Sequence, residues 1–208
     1  MSSAQLLEFF SQVWNEEERK DYFNKIYNSE NHLKSLLDEV NLYGENEAYV
    51  LKFAPEMISI SEECVSIVND IKPFAGPGFE IEYTCMGEEK EVFADRKLIR
   101  HILSNLLNNA IKYSGDSKKV EFVLDTEVKD QVHFTIIDYG IGIPEKDLPI
   151  IFEKFKRASN VGQIQGTGLG LSIVRHLVEL HGGIIAVQSR YDGGTTVKVE
   201  IPVSYQKK

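Results

Sequence analysis

The sequence predicts an α/β two-layer sandwich, a mixed β-sheet with helices on one face, preceded by a partial α-helical hairpin. Three observations carry that prediction. Five short segments alternate apolar and polar residues as half-buried strands do. Longer segments between them repeat apolar residues at the helical period. Turn-prone runs, Gly182-Gly183 and Asp192-Gly193-Gly194, join or lead into the late strands.

Residues 1–46 differ in texture from the rest. Leu6, Phe9, Phe10 and Val13 make a short apolar stripe, and Asn15 followed by three glutamates has the form of a helix N-cap with a reciprocal acid. Beyond it, Tyr22, Ile26, Ser29, Leu33, Leu36, Val40 and Tyr43 recur at alternating four and three, which is a heptad seam. Two helices joined at Asn15 therefore read as a hairpin whose seam wants a dimer partner. The first arm is too short to cover the seam, so the hairpin is expected to be truncated.

Residues 47–208 read as the α/β domain. Strands are expected at 80–85, 120–125, 132–138, 184–189 and 196–203, and helices at 58–71, 95–114 and 170–181. Between 144 and 165 the chain is polar and weakly patterned, as a lid over a site would be.

Composition excludes several functions. The formal net charge of -9 argues against a general nucleic-acid binder, so an anionic ligand must be held by local donors. No apolar run approaches a membrane span, so no membrane contact is expected of this segment. Cys64 and Cys85 are isolated thiols without metal spacing, which suits a reducing, cytoplasmic location.

Four motifs carry chemistry. On the helix around residue 105, Asn105, Asn109, Lys112 and Tyr113 share a side away from Leu103, Leu106, Leu107 and Ala110. Amide oxygens can ligate Mg²⁺ without adding charge to a site full of phosphate. A lysine nearby can meet phosphate oxygens, and a tyrosine ring can pack on a base. In DYGIGIP, a strand ends in Asp138 and is followed by Gly140 and Gly142. A carboxylate accepts hydrogen bonds and donates none, which suits an exocyclic amino group such as adenine's. IFEKFKRAS, with Phe152 and Phe155 at i, i+3, gathers Lys154, Lys156 and Arg157 in an otherwise acidic chain. GTGLGLSIV places Gly166, Gly168 and Gly170 at the mouth of a helix, where unblocked N–H groups and the helix's positive end hold polyphosphate. That spacing is not the dinucleotide fingerprint G-x-G-x-x-G, whose third glycine would fall at Leu171.

In this order NLLNNAIKYS, DYGIGIP, FEKFKRAS and GTGLGLSIVRHLVELHGG resemble the four nucleotide-binding boxes of sensor histidine kinases, within the ATPase superfamily of Hsp90, gyrase B and MutL. The resemblance covers roughly residues 47–208 and implies the Bergerat-type ATP-binding fold, with ATP and Mg²⁺ as ligands. It implies Asn109 as a Mg²⁺ ligand with Asn105 beside it, Lys112 on phosphate and Tyr113 against adenine. Asp138 would bond the adenine amino group in a pocket shaped by Gly140 and Gly142, and Thr195 would support that end. Phe155 and Arg157 would belong to the lid's base. Gly166, Thr167, Gly168, Leu169, Gly170 and Leu171 would surround the triphosphate. The implied partners are a second copy through the hairpin and the receiver domain of a response regulator.

One part of the family pattern is missing. Its phospho-accepting histidine lies in a segment like H-E-x-R-T-P, and no such segment occurs here. SSAQLLEFF resembles the stretch of helix just after that motif, so the acceptor is expected ahead of Met1. His32, His101, His133, His176 and His181 are each expected to be structural or surface residues. Two rival readings share the motifs: an ATPase switch, which would need a glutamate near the Asn helix where Asn105 stands, and a non-catalytic nucleotide-binding interaction module.

Overall fold

The computed structural model describes residues 53–204 apart from Gln163 and Gln165, together with Asn15, Glu16, Arg19 and Phe23. The chain divides into two compact units, Met1–Leu51 and Lys52–Lys208. In the first, Glu16 is helical directly after Asn15, and the Arg19 N–H donates to the Asn15 carbonyl (3.1 Å). The apolar stripe, the heptad seam and His32 lie outside the described residues.

The second unit is the expected sandwich. Its elements are β1 (Glu56–Ser59), α1 (Ile60–Ile71), β2 (Glu80–Met86), β3 (Glu91–Ala94), α2 (Arg96–Tyr113), β4 (Lys119–Asp125), β5 (Gln131–Asp138), α3 (Gly170–Leu180), β6 (Ile184–Ser189) and β7 (Thr195–Pro202). The main sheet has the order β2-β4-β5-β7-β6, with β2 parallel to β4 and every other pair antiparallel. Period-two alternation turns Val120, Phe122 and Leu124 of β4 and Val132, Phe134 and Ile136 of β5 into the core. They share the core with Leu103, Leu106 and Leu107 of α2 and Val174, Leu177 and Val178 of α3, all buried. Burying Phe122 or Phe134 contributes on the order of 2–3 kcal/mol each.

Two short strands escape the sequence reading. The alternation in Met57–Ile60 suits a strand as well as a helix, and the helix expected from Ile58 begins at Ile60 instead. Ser59 ends the strand and caps the helix, its hydroxyl accepting from the Glu62 N–H (3.4 Å). Ile58 is thereby freed to pair in β1 against Val92 of β3. At four residues each, β1 and β3 lie below the length at which periodicity separates the two states.

The start of α2 is fixed from three directions. Asp95 Oδ1 accepts from the N–H groups of Lys97 (3.0 Å) and Leu98 (3.2 Å), and Oδ2 accepts from Ala54 N–H (2.9 Å). The Asp95 N–H itself donates to His181 Nε2 (3.2 Å), whose Nδ1–H donates to the Leu177 carbonyl (2.7 Å). His181, at the end of α3, is therefore a neutral imidazole whose two nitrogens join that end to the α2 cap. Burial pushes its pKa below the ordinary 6.5, against the opposing pull of the Leu177 carbonyl and Asp95. A depressed folded pKa means that the unfolded chain binds more protons. The stabilisation is complete above 6.5 and is lost as pH falls below that value towards the folded pKa. The urea midpoint of the native chain is expected to fall more steeply on acidification than that of His181→Gln. Equal slopes would remove His181 from this role.

Across α1 and α2, the buried carboxylate of Glu63 meets Arg96 Nη1 (2.7 Å) and Arg100 Nη2 (2.8 Å). Arg96 also reaches Glu56 and Arg100 reaches Asp70. These pairs align the long helix that carries the site.

Candidate functional site

Asp138 stands out from the alternation of β5. It occupies the inward position after Val132, Phe134 and Ile136, at the strand's end, and is only 6% exposed. A carboxylate placed there is costly unless hydrogen-bonded. Its Oδ1 accepts from Gly140 N–H (3.0 Å), and the N–H and hydroxyl of Thr195, its cross-strand neighbour, also reach it. Burial nevertheless dominates and holds its pKa above the usual carboxylate range, with those donors pulling it back.

The glycines around Asp138 are required by the protein's own backbone. A Cβ on Gly140 would stand 1.8 Å from the Tyr113 carbonyl oxygen at the end of α2. One on Gly142 would stand 1.9 Å from the Arg190 carbonyl, and one on Gly194 2.1 Å from the Asp138 carbonyl. Ile141 N–H donates to the Tyr113 carbonyl (3.1 Å) and Gly194 N–H to the Gly140 carbonyl (3.1 Å). Ser189, which sequence reasoning passed over, completes this corner. Its hydroxyl bonds the Gly194 carbonyl (2.8 Å), Thr195 Oγ1 (2.9 Å) and the Ile143 N–H (2.8 Å). The Ser189–Thr195 pairing across the β6–β7 hairpin is the signal that could have found it.

Asn105 and Asn109 are half-buried, whereas Asn108 is exposed. The Asn109 amide Nδ2 donates to Asn105 Oδ1 (3.0 Å). Asn105 in turn lies against the first residue of α3, since a Cβ on Gly170 would fall 2.8 Å from its Oδ1. One turn further along α2, Lys112 Nζ would be 2.9 Å from a Cβ on Gly166, with the Tyr113 hydroxyl and Arg157 Nε at the edge of the same space. Lys112 also lies over the Tyr113 ring, 5.0 Å from its centroid. The glycine loop thus runs along the α2 flank that carries the four predicted residues.

Gly168 ties that loop to the base of the lid. It has φ +75°, its carbonyl accepts from Phe155 N–H (3.0 Å), and a Cβ there would meet the Lys156 carbonyl at 2.8 Å. Phe155 itself adopts a left-handed backbone (φ 62°) and is 62% exposed. Arg157 turns inward, Nη2 donating to the Ile164 carbonyl while Nε is buried without a hydrogen-bond partner. Thr167 Oγ1 accepts from Leu169 N–H (3.2 Å), and Leu169 is buried. Leu169, the residue before α3, has no side-chain group to cap the helix's first N–H groups. Leu171 is half-buried in the first turn and brings no polar group.

Residues 94–205 match the model of the family described as "Histidine kinase-, DNA gyrase B-, and HSP90-like ATPase". The chain belongs to this family. The chain is 29% identical over 199 residues to the sensor histidine kinase YvrG of Bacillus subtilis, covering 94% of this chain and 34% of YvrG. It is 34% identical over 192 residues to the circadian input-output histidine kinase CikA of Synechococcus elongatus, covering 89% of this chain and 25% of CikA. The chain therefore spans between a quarter and about a third of these relatives' lengths. In structure, the mycobacterial sensor histidine kinase MprB is similar with TM-score 0.63 and 25% identity, over 74% of this chain and all of that one. The nucleotide-free catalytic domain of histidine kinase ThkA is similar with TM-score 0.61 and 28% identity, over 72% of this chain and 96% of that one.

The ATPase domain is thus of the histidine kinase type found in two-component systems, with the Bergerat-type mixed sheet covered by helices. Among the described residues no group of three His, Cys, Asp or Glu is placed to hold a metal ion. None of their helices is long and apolar enough to cross a membrane.

Proposed function

We propose that the chain is the catalytic part of a cytoplasmic sensor histidine kinase. It binds Mg·ATP and transfers the γ-phosphoryl group to a histidine nitrogen on a helical hairpin, of its own subunit or of a dimer partner. An aspartate on a response-regulator receiver domain then takes the group. The observation that carries this reading is the Asn105–Asn109 pair and Lys112 along α2 beside Gly170 and Gly166, with buried Asp138 on the loop that meets the end of that helix at Tyr113.

Each residue's part follows from its surroundings. Asp138 is a buried acceptor suited to the adenine amino group, with Gly140, Gly142 and Thr195 holding it in place. Tyr113 borders the base, and Lys112 and Arg157 bring positive charge to the phosphates. Gly166, Thr167, Gly168, Leu169, Gly170 and Leu171 shape the loop and helix start around them. The donor set fits Mg²⁺: with its nitrogen given to Asn105, Asn109 has an uncharged oxygen to offer, and a cation so weakly held by protein arrives with phosphate and water. When bound, the cation neutralises developing charge on the phosphates. The chain's own share is positioning, by which bimolecular transfer becomes effectively intramolecular.

At the place four residues before Asn109, where a hydrolytic ATPase would need its glutamate, stands the amide of Asn105. Two described histidines are engaged elsewhere. His181 is buried in the α2–α3 contact, and His133 bonds Gln131 near the end of β5 remote from Asp138. With γ-labelled ATP and Mg²⁺, the chain alone should acquire no label. A hairpin peptide carrying an H-E-x-R-T-P helix should acquire label that is acid-labile and base-stable. Label on the chain itself would show that one of its own histidines is the acceptor and overturn this assignment.

A further inference from the structure

The lid is stitched to the Asp138 loop by polar side chains at the edge of the FEKFKRAS box and beyond it. Asp147 is buried, and its Oδ2 accepts from both the N–H and the hydroxyl of Ser159, each at 2.7 Å. These bonds hold the Asp147 carboxyl below its usual pKa range. The next residue, Asn160, donates from Nδ2 to the carbonyls of Ile141 (3.2 Å) and Gly142 (2.8 Å). Its Oδ1 is buried with no partner. A buried amide oxygen left unsatisfied is unfavourable, so what keeps the side chain there is its service to the two loop carbonyls. Ser159 and Asn160 therefore grip both ends of the segment 141–147, which contains the second glycine of the Asp138 loop. Further along, Phe155 N–H closes the lid's other side onto Gly168.

We propose that Asp147, Ser159 and Asn160 form a clasp that positions the lid, and that this clasp sets the rate at which nucleotide leaves. The proposal rests on the nucleotide-binding reading above. The clasp consists of protein groups alone, so it fixes the lid before a ligand contributes anything. A ligand's apparent affinity falls with the fraction of protein already in the competent form. Opening the clasp lowers that fraction without removing any group that touches nucleotide.

The test uses the whole chain and a fluorescent ATP analogue. Ser159→Asp sets one carboxylate against another and should speed release roughly tenfold or more, the scale of one lost charge-assisted hydrogen bond. Asn160→Ala should do the same. Adding Asp147→Asn to Ser159→Asp restores a donor–acceptor pair and should return both the release rate and the urea midpoint to near the native values. Amide hydrogen exchange of residues 145–161, measured without nucleotide, should speed up in the two single variants and recover in the pair. Unchanged exchange in Ser159→Asp, or no recovery in the pair, would overturn the clasp. Changed exchange with unaltered release would overturn its control of nucleotide release. A native chain that failed to bind the analogue, while lid exchange responded as expected, would sink the ATP assignment and leave the clasp standing.

Discussion

A Gly140→Ala variant is expected to lose about 3–5 kcal/mol of folding stability and its nucleotide pocket together. The added methyl would stand 1.8 Å from the Tyr113 carbonyl oxygen and 2.5 Å from Ser114 Cα. Both obstacles are backbone atoms at the end of an 18-residue helix, so neither can swing aside as a side chain would. The loop must retreat. Doing so breaks the bond from Ile141 N–H to Tyr113 and strains that from Gly194 N–H to Gly140, each worth on the order of 1 kcal/mol. It also displaces the Gly140 N–H from Asp138, leaving a buried carboxyl with fewer donors. Gly115 supplies the control. It sits just beyond the same helix at φ +58° with nothing within 4 Å of a Cβ, so Gly115→Ala should cost only about 1 kcal/mol, from backbone conformation. Urea unfolding of the two variants decides the matter. Equal losses would mean that the Tyr113 contact yields more readily than a helix end should.

Asn109→Ala is expected to leave the fold intact and remove the activity. Asn109 is half-buried on α2, outside the apolar stripe, and its side-chain Nδ2 donates to Asn105 Oδ1. Losing that side chain should change stability by no more than about 1 kcal/mol. The proposed function requires its amide oxygen on the cation, and removing one preorganised electrostatic partner costs roughly 10²–10³ in rate. Phosphoryl transfer to the hairpin peptide, followed across a Mg²⁺ titration, should fall by that factor with the urea midpoint nearly unchanged. Transfer within a few-fold of native would exclude Asn109 as the cation's ligand. A collapse of stability would mark it as a scaffold residue.

How much of the site could be read in the sequence depended on whether its residues were close along the chain. Asn105, Asn109, Lys112 and Tyr113 sit on one helix, so spacing alone grouped them. Helical spacing says which residues neighbour one another. It does not say which flank a second helix will approach, and here the start of α3 at Gly170 packs beside Asn105. The Asp147–Ser159–Asn160 clasp gave no signal, because residues twelve or more apart in an irregular segment have no period to betray them. Ser189 was missed for a related reason: its role exists only once β6 and β7 are paired.

The glycines show the same division. Their positions in the sequence mark loops near a ligand and suggest that they let backbone approach that ligand closely. In the folded chain the atoms a Cβ would strike at Gly140, Gly142 and Gly194 are carbonyls of this protein.

By itself the sequence determined the sheet's five strands, the three helices and the family. Each is written in local periodicity or in motifs whose members lie within one element. The tertiary structure alone decided that Ile58 joins a strand, that Asp138 is buried against Thr195, and that the lid is latched to the Asp138 loop. Those outcomes depend on contacts between segments far apart in the chain, and such contacts form only when burial of the common core brings the segments together.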